Sequence, residues 1–195
     1  MRIPDYLSFS RLLLSPVYFT VFFLYDWTGR YLAVSLLGSW VIFLLIELSD
    51  LLDGYVARKI GSASELGKIL DPFADSISRL TYFICFAGKG IMPLWVLLLV
   101  VYRDLGVSFI RLLANRRGVT MGARLSGKIK AWVYALAGVF GMVLVTWDSL
   151  LNSSRILSIF QTVTYVMFLL CGCVALFSLV DYAQTLVTAR SKGSL

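Results

Sequence analysis

Residues 47–75 read ELSDLLDGYVARKIGSASELGKILDPFAD, and acids stand in this stretch at helical intervals. Asp50 and Asp53 are three apart and Asp71 and Asp75 are four apart, so on helices each pair projects from one face, one turn above the other. Glu47 lies a further turn before Asp50. Both pairs are set against apolar runs, where an ionisable side chain is costly and points to function, with a structural ion pair as the plain alternative. Four carboxylates in a half-apolar setting repel one another unless cations neutralise them. Two helices that each offer two carboxylates to a common point make a site for hard divalent cations, and oxygen ligands without His or convergent Cys favour Mg²⁺, Mn²⁺ or Ca²⁺. Magnesium held this way commonly completes its shell with substrate phosphates, which makes a phosphate or diphosphate the natural substrate.

Around the acids the side chains are small. Gly54 and Ala57, four and seven residues after Asp50, continue its helical face and leave room for a ligand to approach the backbone, and Arg58 follows at once. Gly67 stands four residues before Asp71. Each small residue alone fits plain helix–helix packing; beside the acids, a ligand is the better reading.

The remainder of the 195 residues sets the environment. Hydrophobic residues make up 59% and charged residues 15%, against about 45–50% and about 25% in soluble domains. A soluble enzyme, a disordered tail and a nucleic-acid-binding module are thereby disfavoured. There is no histidine, which removes triads, haem ligation through His and His-based zinc sites. Cys85, Cys171 and Cys173 lie in apolar runs and read as small hydrophobes. The opening residues lack a small-residue cleavage site after a short apolar core, so the first span is expected to be retained.

Apolar runs predict an all-α, polytopic membrane protein: a bundle of six transmembrane helices in a single domain over residues 1–195. The expected spans are 12–25, 31–53, 66–87, 93–114, 128–147 and 156–187, with a short interfacial amphipathic segment, IPDYLSFSR, before the first. Arg30, Lys89 and Arg155 supply the cations of one set of connections. Arg58, Lys59, Lys68, Arg116, Arg117, Arg124, Lys128, Arg190 and Lys192 supply the other set, which the positive-inside rule places in the cytoplasm together with both termini. The net charge of +7 then reads as cytoplasmic ends facing anionic lipid, not as a polynucleotide site.

Read as a whole, DxxDGxxAR, eight residues, then GxxxDxxxD is met at Asp50, Asp53, Gly54, Ala57, Arg58, Gly67, Asp71 and Asp75. At ordinary abundances of about 5–8% per residue type, such a match arises by chance at about 10⁻¹⁰. The chain therefore resembles the CDP-alcohol phosphatidyltransferase family, and the six spans, the N-terminal IPDYLSFSRLLLSPV and the basic stretch after span four extend the likeness to its glycerophosphate-using bacterial branch. The resemblance implies Mg²⁺ or Mn²⁺, two ions, held by Asp50, Asp53 and Asp71, with Asp75 as a further ligand or as general base. It implies that CDP lies against Asp50, Asp53, Gly54, Ala57, Arg58 and Gly67, and that the diacylglycerol tails run into the bilayer. A homodimer in the cytoplasmic (inner) membrane, with the active site on the cytoplasmic side, is implied as well.

For the acceptor, Arg103, Asp104 and Arg111 stand within span four and Lys128 opens span five. Arginines inside a span must point at something, and Arg forks suit a phosphate, so Arg103, Arg111 and Lys128 are expected to bind an anionic acceptor such as sn-glycerol 3-phosphate. Glycerophosphate-using relatives commonly have Lys directly after the fourth aspartate. Here that place is Ser76, and Arg79, one turn beyond Asp75, is the candidate substitute. Serine, inositol phosphate, or CDP-choline with diacylglycerol are the substrates of neighbouring branches. Two other classes use intramembrane acids. Prenyltransferases carry DDxxD-type motifs that do not match, and a divalent-cation transporter accounts for the acids but not for Gly54, Ala57 and Arg58; transport sites also tend to lie near the midplane.

Overall fold

The computed structural model describes residues 3–60, 65–116, 125–150 and 155–191, with side chains for residues 6–52, 70–112, 125–150 and 156–185. The described residues form six α-helices: α1 (Ile3–Thr28), α2 (Leu32–Ile60), α3 (Glu65–Gly88), α4 (Leu94–Arg116), α5 (Leu125–Leu150) and α6 (Arg155–Ser191). Each coincides with an expected span but is longer, because apolarity marks the part of a helix that lipid or core requires, while helical hydrogen bonding continues through polar turns at both ends. The amphipathic stretch and the first expected span share one helix: α1 runs unbroken from Ile3 through Pro16. It ends where Gly29 takes a left-handed conformation (φ 64°) that a side chain disfavours.

Among the described residues, four helices hold stretches long and apolar enough to cross a membrane: Tyr6–Thr28, Leu32–Leu52, Leu125–Leu150 and Ile156–Thr185. The other two, α3 and α4, are lowered in apolarity by Asp71, Asp75 and Arg79 on the one and by Arg103, Asp104 and Arg111 on the other. Leu37, Phe109, Trp132 and Phe177 are among many large apolar side chains left more than half exposed, an arrangement suited to lipid and foreign to a water-soluble monomer. The protein is a multi-pass membrane protein.

The helices fall into two compact units, Met1–Lys89 and Gly90–Leu195. In the first, α1 packs along both α2 and α3, whereas α2 and α3 touch each other only slightly among the described residues. Small residues permit the close approach: a Cβ on Gly38 would stand 2.8 Å from Val21 Cγ1, and Ser35 Oγ on α2 donates to the Phe22 carbonyl on α1 at 2.9 Å. Phe22, Phe43, Tyr82, Phe83 and Phe86 fill the core, with Phe43 and Tyr82 meeting edge to face across α2 and α3 at 5.4 Å. In the second unit α6 packs against both α4 and α5, around Val96, Val100, Tyr134, Met142, Phe168 and Cys171. Cys85 and Cys171 are buried and all three cysteines are free, as small hydrophobes would be.

Candidate active site

The structure places Asp50 on α2 and Asp71 and Asp75 on α3, as the spacing predicts, and joins them through two arginines. Arg11, on α1 and wholly buried, donates from Nη1 to Asp50 Oδ1 at 3.1 Å and from Nη2 to Asp71 Oδ1 at 2.5 Å. Arg79, also buried, donates from Nη2 to Asp50 Oδ2 and to Asp75 Oδ1, both at 2.8 Å. Asp50 thus receives one guanidinium on each oxygen. Ser8 Oγ adds a 3.4 Å bond to Asp71 Oδ1.

The carboxylates are not themselves sealed. Their side chains remain 33% (Asp50), 51% (Asp71) and 26% (Asp75) exposed, whereas the guanidinium groups behind them are buried. Charge is therefore layered, cations inside and anions at the open side. The exposed carboxylates offer oxygen ligands, which in kind suit a hard divalent cation. Among the described residues no three of Asp, Glu, His and Cys converge closely enough to hold a metal ion. Asp53, Gly54, Ala57 and Arg58 stand on helical α2 and Gly67 on α3, but beyond the course of the helix they lie outside the described residues.

Arg11 is the residue that sequence reading missed: it stands there only as the last residue of the amphipathic segment IPDYLSFSR. The argument applied to Arg103 and Arg111, that an arginine within a span must have a partner, applies equally to it.

A second polar cluster occupies the other unit. Arg103 and Asp104 are both buried, and Asp104 Oδ1 accepts from Arg103 Nη1 at 2.9 Å and from Lys130 Nζ at 2.8 Å. Arg103 Nη2 donates to Ser178 Oγ at 2.7 Å. Arg103 is thus engaged inside the unit, and Asp104 has the basic partner that its position suggests. Arg111 is only partly buried and donates from Nη2 to the Tyr182 hydroxyl at 2.8 Å. Both guanidinium groups also lie over the Tyr182 ring, at 5.9 Å for Arg103 and 5.2 Å for Arg111, so the common face expected from their eight-residue spacing is present. Lys128 is exposed near the start of α5.

Comparison with known proteins now decides the family. The CDP-alcohol phosphatidyltransferase profile matches residues 1–181. The chain belongs to this family. The CDP-alcohol phosphatidyltransferase described here is 36% identical over 150 residues to the CDP-diacylglycerol--glycerol-3-phosphate 3-phosphatidyltransferase of Treponema pallidum, covering 74% of this chain and 69% of the relative. It is 32% identical over 162 residues to the protein of the same name from Aquifex aeolicus, covering 81% and 84%. A probable cardiolipin synthase (CMP-forming) of Drosophila melanogaster is 37% identical over 114 residues, covering 56% of this chain and 33% of that protein. The match over residues 1–181 takes in most of both compact units.

Proposed function

We propose that this phosphatidyltransferase moves the phosphatidyl group of CDP-diacylglycerol to a hydroxyl of sn-glycerol 3-phosphate and releases CMP. The observation that carries the reading is the gathering of Asp50, Asp71 and Asp75, from two helices, at the open side of Arg11 and Arg79. The names of the Treponema and Aquifex relatives support the donor and the acceptor.

Asp50, Asp53 and Asp71, with Asp75, are the residues that would hold Mg²⁺ or Mn²⁺, in two sites. When bound, the cations screen the diphosphate and stabilise the departing CMP phosphate. Asp75 takes the proton of the acceptor hydroxyl as that oxygen bonds to the lipid-linked phosphorus and the bond to the CMP oxygen breaks. Gly54, Ala57 and Gly67 leave space for the cytidine diphosphate, and Arg58 supplies it with a cation. Arg111 and Lys128 bind the acceptor phosphate. Arg103 and Arg79, which are ion-paired with Asp104 and with Asp50 and Asp75, add their positive charge to the acceptor site.

The wider arrangement proposed is a single catalytic domain of six membrane-crossing helices, with the start of α1 at the interface. It works as a homodimer in the inner membrane with both termini and the site in the cytoplasm. The alternation of basic loops supports the orientation. α3 and α4, at 24 and 23 residues, each extend about 35 Å at about 1.5 Å per residue, enough for a hydrocarbon core of about 30 Å.

An acceptor screen tests the proposal. Purified protein in detergent–lipid micelles with CDP-diacylglycerol is given glycerol 3-phosphate, serine, inositol phosphate or phosphatidylglycerol, and products are identified by mass. Phosphatidylglycerophosphate and CMP are expected only with glycerol 3-phosphate and a divalent cation, and chelation with EDTA is expected to stop the reaction. Turnover with another acceptor and none with glycerol 3-phosphate would reassign the substrate. CMP formation that survives EDTA would refute the metal sites.

A further inference from the structure

On α1, Ser8, Arg11 and Ser15 follow one another at intervals of three and four residues and are all buried. On α3, Asp71, Ala74 and Ser78 repeat the same intervals, and the two series face each other: Ser8 and Arg11 reach Asp71, and Ser15 Oγ lies 3.2 Å from Ser78 Oγ. The contact between α1 and α3 is therefore polar over two turns. A buried arginine costs several kcal/mol in desolvation that its ion pairs offset only with good geometry. Packing alone would be served as well by a leucine.

What Arg11 supplies is a fixed link between the two helices that carry the acids. Among the described residues α2 and α3 touch each other only slightly, while α1 packs along both. From α1, one nitrogen of a rigid fork takes Asp50 and the other takes Asp71, and Asp71 is left with Oδ2 outside that bond. We propose that Arg11 is a positioning residue of the reaction: it sets the spacing and orientation of the Asp50 and Asp71 carboxylates relative to each other for the divalent cation. This rests on the assignment of those two acids as metal ligands. The N-terminal helix is thereby part of the active site although no residue of the sequence motif lies on it.

Charge and geometry pull in opposite directions here, and a conservative variant separates them. Removing a positive charge next to the site would by itself attract a divalent cation more strongly, masking any loss of orientation. Arg11→Lys keeps the charge but replaces the planar fork by one ammonium group that cannot hold two carboxylates at fixed angles.

The test is Mn²⁺ binding to the full-length protein in detergent–lipid micelles, read from the electron paramagnetic resonance signal of free Mn²⁺, together with kinetics. Arg11→Lys is expected to weaken Mn²⁺ binding by about 10–100-fold, the usual effect of losing a group that orients a metal ligand. The KM for CDP-diacylglycerol at saturating metal is expected to stay within about twofold of wild type, whereas a general loosening of the fold would raise both. Mn²⁺ binding by Arg11→Lys within twofold of wild type would overturn the inference alone. Wild-type protein that binds no Mn²⁺ would overturn the metal assignment and this inference with it. If Arg11→Lys does not accumulate in membranes, Ser8→Ala decides the matter: removing the hydroxyl that steadies Asp71 is expected to weaken Mn²⁺ binding about threefold, in proportion to one weak hydrogen bond, and unchanged binding would overturn the inference.

Discussion

Lys130 on α5 holds Asp104 on α4 by both carboxylate oxygens, at 2.8 and 3.1 Å, and both side chains are almost fully buried. Arg103 shares the same carboxylate. One anion thus answers two cations inside an apolar unit, with Ser178 taking up further donors of Arg103. Asp104→Asn would remove the carboxylate charge that two buried cations share, a change that costs about 3–5 kcal/mol when one partner of a buried pair is removed. The expected result is a markedly lower Tm in detergent and poor accumulation in membranes. A Tm equal to that of wild type would mean that water reaches this cluster.

Asp75→Asn probes the other cluster with the opposite balance. Arg79 keeps Asp50 as an anionic partner at 2.8 Å, and the amide oxygen of Asn can still accept at the place of Asp75 Oδ1, so little stability is at stake. The proton acceptor, however, is gone. CMP release should fall by at least about 10²–10⁴-fold, the range typical of a lost general base, while the Tm moves by no more than a few degrees and CDP-diacylglycerol still binds. Wild-type turnover in this variant would remove Asp75 from the base role.

Gly38 shows how closely α1 and α2 approach. A Cβ there would come within 2.8 Å of Val21 Cγ1, and valine has little rotamer freedom with which to yield. Gly38→Ala should therefore cost about 1–3 kcal/mol by overpacking, despite the better helix propensity of alanine, and a thermal melt should record a lower Tm. The paired variant Gly38→Ala with Val21→Ala should recover most of the loss.

These cases mark what is legible in the sequence. Helical periodicity places Asp50 on α2 and Asp71 with Asp75 on α3, because a span and its polar end are local properties of the chain. The partners of those acids are not local. Arg11 meets Asp71 from 60 positions away and Asp50 from 39, and nothing in the motif itself indicates an arginine on another helix. Arg79 stands one turn after Asp75 and so can be found from spacing, but its second bond, to Asp50, requires knowing that α2 and α3 are brought together by α1.

Arg111 and Tyr182 give the sharpest test of the acceptor assignment. Arg111 is the partly open arginine of its cluster, held by the Tyr182 hydroxyl at 2.8 Å and by the ring face at 5.2 Å. Arg111→Ala removes the charge and should raise the KM for glycerol 3-phosphate by about 10–100-fold, corresponding to about 1.5–3 kcal/mol for a charge-assisted hydrogen bond, with the KM for CDP-diacylglycerol little changed. Tyr182→Phe keeps the ring under the guanidinium and deletes only the hydroxyl, so the same KM should rise by about three- to tenfold at nearly constant kcat. In the double variant the effects should not add, because the hydroxyl acts through Arg111. Equal rises in both substrates' KM values, or additive effects in the double variant, would show that this arginine holds the fold of its unit instead of the acceptor's phosphate.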